Sequence, residues 1–333
     1  MVDIVLKLLL LISPIAYTTG MRIDKFELIF FHLGIVVLFL ASLLDKPKRE
    51  FTMPKGIIGI LLLCIVSVFI HSFQILSLGV LLNIFIFFVG LSIVCKYAGD
   101  PKQFYKYITL AVVINCGIWL AQKYWFNFLP FENNPLSGGL CGTTPRLFNY
   151  LAIVMPIVFS VSPLSLAIPL LSILGGQYAP IVTSGITVFG ALKLHRDRVV
   201  AIGTMVIGCI FLYSHIFESF RVRSQDIFPK AITEAAKLPL IGHGLGAYYQ
   251  QMGNDSFNIF LLLGYDLGIL GVFILGYALW ESRKLFKFDV ISMSMISVLA
   301  VSMFDYVIEI PRLWFTLMFV IAVFLTQKTE EVC

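Results

Sequence analysis

The chain alternates between long apolar runs and short polar segments. The runs fall near residues 4–20, 25–44, 57–74, 76–95, 106–122, 147–162, 164–175, 178–192, 199–217, 257–280, 290–307 and 312–326. A helix needs about 20 apolar residues to cross a bilayer, and fewer where neighbours thin the bilayer or bury the helix. Lipid cannot satisfy backbone polar groups, and runs such as 57–73 are continuous rather than alternating, so the pattern predicts helices and not the strands of a barrel. It is least regular over 164–192, where Pro163, Pro169, Gly175, Gly176 and Pro180 interrupt it. That stretch reads as two short helices or one broken helix, and the choice fixes the topology of everything after it.

Composition strengthens this reading. Of 333 residues, 59% are hydrophobic and 13% charged, with mean hydropathy +0.94. A soluble domain carries about 25% charged residues, so this chain has too little polar material to face water. The expected fold is all-α, a polytopic transmembrane bundle of about 12 helices forming one integral membrane domain over 1–333. The N-terminal apolar run reads as a retained first helix, because the flank Ala16-Tyr17-Thr18-Thr19-Gly20 lacks a good cleavage pair.

The net charge of +5 matters mainly through its distribution. With two helices over 164–192, thirteen basic residues fall in four short loops on one side: Lys46, Lys48, Arg49 and Lys55; Lys96, Lys102 and Lys106; Lys193, Arg196 and Arg198; Arg283, Lys284 and Lys287. Basic residues in short loops mark the cytoplasmic side, so both termini are expected there. A single helix over 164–192 breaks the pattern. The opposite side gains two longer loops, 123–146 and 218–256. No basic stripe with interleaved aromatics suggests nucleic acid. The six cysteines have no CxxC or His-Cys spacing and read as small packing residues.

The second external loop, between the ninth and tenth spans, is the most informative. Residues 226–237 predict a short amphipathic helix along the membrane surface, with Ile227, Phe228, Ala231, Ile232 and Ala235 on one side and Lys230, Glu234 and Lys237 on the other. Gly242, Gly244 and Gly246 then permit tight turns or close approach of a ligand. Arg221 and Arg223 precede them. They suit an anionic, membrane-tethered substrate, or equally pairing with Glu218 and Asp226 or with lipid headgroups.

Three segments in order carry a family resemblance: Arg223-x-x-Asp-Ile-Phe-x-x-Ala231; Pro239-Leu-Ile-Gly-His-Gly-Leu-Gly246; and Asn258, nine residues, Gly268, two residues, Gly271. Together they resemble the O-antigen ligase and Wzy-type polymerase family of the bacterial cell envelope. Upstream, Gly142-Thr-Thr-Pro-Arg-Leu-Phe-Asn149 resembles the start of a family helix, and Phe304-Asp305 with Pro311 to Phe315 fits the last two helices. The likeness covers roughly 138–326. One position departs: the family's motif His falls on Phe257, while the Asn after it is kept as Asn258.

The resemblance implies transfer or polymerisation of glycan from a polyprenyl-diphosphate carrier onto an acceptor glycan or lipid A-core, at the external face of the bacterial inner membrane. A lipid diphosphate leaving group needs cationic stabilisation. Arg146, Arg221 and Arg223 are the candidates, and the absence of paired external carboxylates points to a reaction without a metal or other cofactor. The acceptor hydroxyl needs a base. His243 has a suitable intrinsic pKa, and Asp255, Asp226 and Glu218 are further candidates. Asp255 also suits a helix cap.

Asp266 lies mid-span, where a charge needs a partner or a cavity, and an acidic residue two before the first helix glycine is usual in the family. Asp305 and Glu309 sit four apart near Arg312. The single histidines His32, His71 and His215 read as interfacial packing. The alternative function is a non-enzymatic transporter or a catalytically degenerate homologue, to which Gly175-Gly176-Gln177 and Phe257 point.

Overall fold

The computed structural model describes residues 1–15, 23–71, 75–124, 144–162, 167–175, 185, 187, 229–230, 232–238, 240–248, 259–286, 289–302 and 313–327. Among these the chain is all-helical. In order come α1 (Val2–Ile12), α2 (Ile23–Leu43), α3 (Lys55–Ile70), α4 (Ile75–Tyr97), α5 (Lys102–Tyr124), α6 (Thr144–Val161), α7 (Ala167–Gly175), α8 (Ile259–Asp266), α9 (Gly268–Ser282), α10 (Val290–Ser302) and α11 (Trp314–Thr326). Two helices, over Ser77–Tyr97 and Lys102–Tyr124, are long and apolar enough to cross a membrane. The expected spans over 178–192 and 199–217 lie almost wholly outside the described residues. The expected span 257–280 is not one helix: it divides into α8 and α9 at Leu267 and Gly268.

The core is built around α6 and α11. Every residue from Leu147 to Val158 on α6 is buried, and so is every residue from Phe315 to Thr326 on α11 except the half-buried Ile321. An aromatic group of Phe31, Phe87, Trp314 and Phe315 locks α2, α4 and α11 together, with the Phe31 and Trp314 rings 4.7 Å apart. Small residues allow close helix approach, as packing without a hydrophobic drive requires. A Cβ on Gly56 would lie 2.6 Å from the Ala278 backbone, where α3 crosses α9. His32 Nε2 meets Asn83 Oδ1 at 2.9 Å, so this histidine has a polar partner between α2 and α4.

Large apolar side chains point outward, among them Leu44, Phe69, Leu82, Phe85, Phe273 and Trp280, each more than half exposed. An outward surface of this kind is poorly solvated by water and well solvated by lipid.

One end of the bundle gathers polar connections. Lys48 Nζ pairs with Asp3 at 2.6 Å, and the Lys48 and Arg49 amides donate to the Lys96 carbonyl. Asp3 also accepts from the Gly99 amide at 2.9 Å, and Arg49 donates to Thr326. Glu281 accepts from the Lys55 and Gly56 amides and so caps α3 from α9. Asp289 caps α10 through the Ser292 amide and accepts from the Gln327 side chain. The starts of α3, α5 and α10 and the ends of α4, α9 and α11 therefore share this end.

Candidate functional site

The opposite end carries the glycine turn. Helix α8 stops at Asp266, Leu267 adopts φ −116°, and Gly268 takes φ +67° before α9 begins. This break frees the carbonyls of Tyr265 and Asp266. The turn over 240–248 fills the gap: the His243 amide donates to the Tyr265 oxygen at 2.8 Å and the Gly244 amide to the Asp266 oxygen at 3.0 Å. The Asp266 carboxylate, 5% exposed, then accepts from the Gly246 and Tyr248 amides, each at 2.8 Å, one on each oxygen. A carboxylate buried at the break of an apolar run thus meets charge-assisted donors within the protein.

Only glycine permits this approach. A Cβ on Gly242 would lie 2.5 Å from the Gly268 nitrogen, and one on Gly268 would lie 2.5 Å from the Leu240 carbonyl. Gly242, Gly244 and Gly246 all have positive φ, a region costly for residues with side chains. A Cβ on Gly244 would press on the His71 ring at 2.9 Å, and one on Gly271 would meet Leu267 at 2.7 Å.

Helices α3 and α4 brace the turn from behind. Ser77 Oγ donates to the Leu245 carbonyl at 2.7 Å. His71 places Nε2 3.1 Å from the Gly242 oxygen and Nδ1 2.9 Å from the Ser67 oxygen. Carbonyls only accept, so the imidazolium alone donates to both; either neutral tautomer gives up one contact. Leu245 and Leu267 pack with Cys64 and Val68 beneath them.

His243 faces the other way. Its Nε2 lies 2.9 Å from the Glu234 carbonyl, and its ring stacks on Tyr265 with centroids 4.6 Å apart. Donation to a carbonyl fixes the proton on Nε2, so in the neutral ring Nδ1 carries the lone pair. Residues 229–230 and 232–235 are helical, within the expected surface helix. Lys237 pairs with the Glu234 carboxylate at 2.6 Å and, as the leading cause, holds it below its usual range. Ile232, Leu238 and Leu240 are exposed beside these charges, while Ala235 packs inward on Tyr248 and Tyr265.

The structure therefore brings together Gly242, His243, Gly244, Gly246, Asp266, Gly268 and Gly271. It places Arg146 in the first turn of α6. Arg221, Arg223, Asp255, Phe257 and Asn258 lie outside the described residues, as do Glu218, Asp226, Asp305, Glu309 and Arg312. Among the described residues no cluster of His, Cys, Asp or Glu is able to hold a metal ion. His71 and Ser77 belong to the site although their sequence signal was weak. Both flank the connection between two spans, on the side where the external loop was expected, and that shared side was the available clue. No family model matches the chain, and no curated protein matches it.

Proposed function

We propose that this chain is a membrane-embedded glycosyltransferase of the O-antigen ligase or polymerase type, acting on a polyprenyl-diphosphate-linked glycan at the external face of the bacterial inner membrane. The observation that carries the reading is the clasp. Two segments about twenty residues apart, which the resemblance names together, meet in space and hold His243 with an available Nδ1. The gathering of Lys48, Arg49, Lys55 and Lys96 at the other end supports a cytoplasmic side there, with twelve spans and both termini inside.

In this reaction an acceptor hydroxyl attacks the anomeric carbon of the carrier-linked sugar. The new glycosidic bond forms as the bond from that carbon to the diphosphate oxygen breaks, and the polyprenyl diphosphate departs with the electron pair. His243 Nδ1 takes the hydroxyl proton. Arg146, Arg221 and Arg223 neutralise the departing diphosphate. The clasp's own amides do not serve as an anion cradle, because those of Gly242, His243, Gly244, Gly246, Ala247 and Tyr248 are spent within the protein.

A transport reading draws on the α8/α9 break, since discontinuous helices hold ions in transporters. Here both Asp266 oxygens and the two freed carbonyls already accept from backbone amides, and the carboxylate is 5% exposed, so the break serves the fold of the turn.

The test is complementation of an envelope-polysaccharide mutant. Arg223→Ala and His243→Ala should abolish glycan transfer while the protein remains in the membrane, and normal transfer by both variants would sink the reading. Phe257→His probes the altered motif position: activity absent before and after the change removes catalysis from this site.

A further inference from the structure

The charges at the end of the bundle where Lys48 meets Asp3 do not all cancel. Asp3 is taken by Lys48 and the Gly99 amide, and Asp45 by the terminal ammonium of Met1 at 2.7 Å. One turn along α1 from Asp3, about 6 Å at 1.5 Å per residue, stands Lys7. Helix α1 packs along α5, and the half-buried Lys7 places its ammonium 5.7 Å from the centre of the Phe104 ring and 5.8 Å from that of Tyr107. Lys106 on α5 brings a second ammonium to 5.2 Å from the centre of the same Tyr107 ring. Among the described residues neither lysine has an acidic partner. The aromatic faces attract both cations but supply no counter-charge. Two cations on one ring repel each other, and an anion between them removes that repulsion.

The surface next to these cations is apolar. Ile4 and Leu8 flank Lys7 on α1, and Leu110 and Val113 continue the face of α5 that begins with Lys106, four and seven residues on; all four are exposed. A separate group at the same end marks its depth. Glu281, which reaches the start of α3 from the close of α9, is preceded by Trp280 and Tyr277, both exposed, with their rings stacked at 6.0 Å. The Arg283 guanidinium lies 3.8 Å over Trp280. Tryptophan and tyrosine concentrate at the level of lipid headgroups, where the ring meets hydrocarbon and its polar edge meets water.

A ligand that fits carries a negative charge for two ammonium groups and hydrocarbon for the side chains beside them. We propose that Lys7, Lys106 and Tyr107 form a binding site for one anionic phospholipid, with its phosphate against the two cations and its acyl chains along Ile4, Leu8, Leu110 and Val113. A phosphate accepts charge-assisted hydrogen bonds from lysine, and the flexible lysine stems carry the ammonium groups to its level. A zwitterionic lipid brings an ammonium of its own and offsets less of the repulsion. The site rests on the membrane part of the proposed function and not on the transferase chemistry, and it stands at the opposite end of the bundle from the clasp.

The experiment uses the full chain in neutral detergent and measures retained lipid by native mass spectrometry, with phosphatidylglycerol or phosphatidylcholine of identical acyl chains. Each lysine is expected to give about a fivefold preference for the anionic lipid, the worth of one basic residue near an anionic surface. Lys7→Gln and Lys106→Gln should each lower the preference by that factor, and the double variant should lose it. Lys7→Arg keeps the cation and should keep the preference. Lys284→Gln removes a charge at the end of α9, outside the groove, and should change nothing. Equal retention of the two lipids by the unaltered chain, or an undiminished preference in the double variant, would overturn the site. So would a fall with Lys284→Gln as large as with Lys106→Gln, which would mark a diffuse field. Displacement of phosphatidylglycerol by millimolar glycerol 1-phosphate would give the cations to a soluble phosphate and overturn the lipid assignment. Retention of neither lipid would remove the membrane reading together with the site, whereas retention of both without preference removes the site alone.

Discussion

Asp266 acts as an internal anion for its own backbone: one oxygen accepts from Gly246 and one from Tyr248. Hydrogen bonds to a charged group contribute about 1.5–3 kcal/mol each. Asp266→Asn retains one carbonyl acceptor and turns an amide N–H toward the other backbone N–H. It should lower stability by about 2–3 kcal/mol, read as a fall in the thermal unfolding midpoint of the detergent-solubilised protein. An unchanged midpoint would mean the carboxylate does not hold the turn. The sequence showed that a mid-span carboxylate needed a partner. It did not show which, because the donors are backbone amides, which every residue except proline carries and no pattern distinguishes.

At the scale of elements, the break between α8 and α9 is a tertiary event. The run 257–280 is apolar apart from Asn258 and Asp266, so its pattern predicts one helix, with Gly268 and Gly271 as motif glycines inside it. What interrupts the helix is the insertion of residues 240–248, which supplies donors for the carbonyls the break frees. The order and spacing of the glycine motifs were legible; their meeting was not, since no local signal states that one turn fills another segment's gap. Two substitutions on α9 separate these roles. Gly268→Ala meets the Leu240 backbone at 2.5 Å and a positive φ, and should destabilise by at least about 1–2 kcal/mol. Gly276→Ala finds nothing within 4 Å and lies inside a helix, so it should be neutral or stabilise by about 0.5–1 kcal/mol. Unfolding curves of the two variants, measured side by side, check the contrast.

Across the whole molecule, the charges that the sequence sorted by side are tied to one another in the structure. Burial alone raises the Asp3 carboxyl, but Lys48 and the Gly99 amide together outweigh it and hold the group below its ordinary value of 3.8. A carboxyl depressed in the folded state adds stability that is complete above its unfolded value and is lost as pH falls through the folded one. The unfolding midpoint should therefore hold steady at neutral pH and drop below about pH 3.8, and Asp3→Asn should flatten part of that drop. An identical pH profile in the variant would remove Asp3 from the account. The apolar outer surface was equally legible, because low charge density leaves little polar material to cover it.

The clasp also has a meaning for assembly in time. Residues 240–248 emerge during synthesis before α8 and α9, yet the amides of His243, Gly244, Gly246 and Tyr248 have no partners until Tyr265 and Asp266 follow at the break. The turn waits with those donors in water, and α3 and α4 cannot complete their bracing of it through His71 and Ser77. Arrival of the next apolar run is therefore the step that closes the site. A polypeptide interrupted before that run holds all three turn glycines and His243 and still has no site.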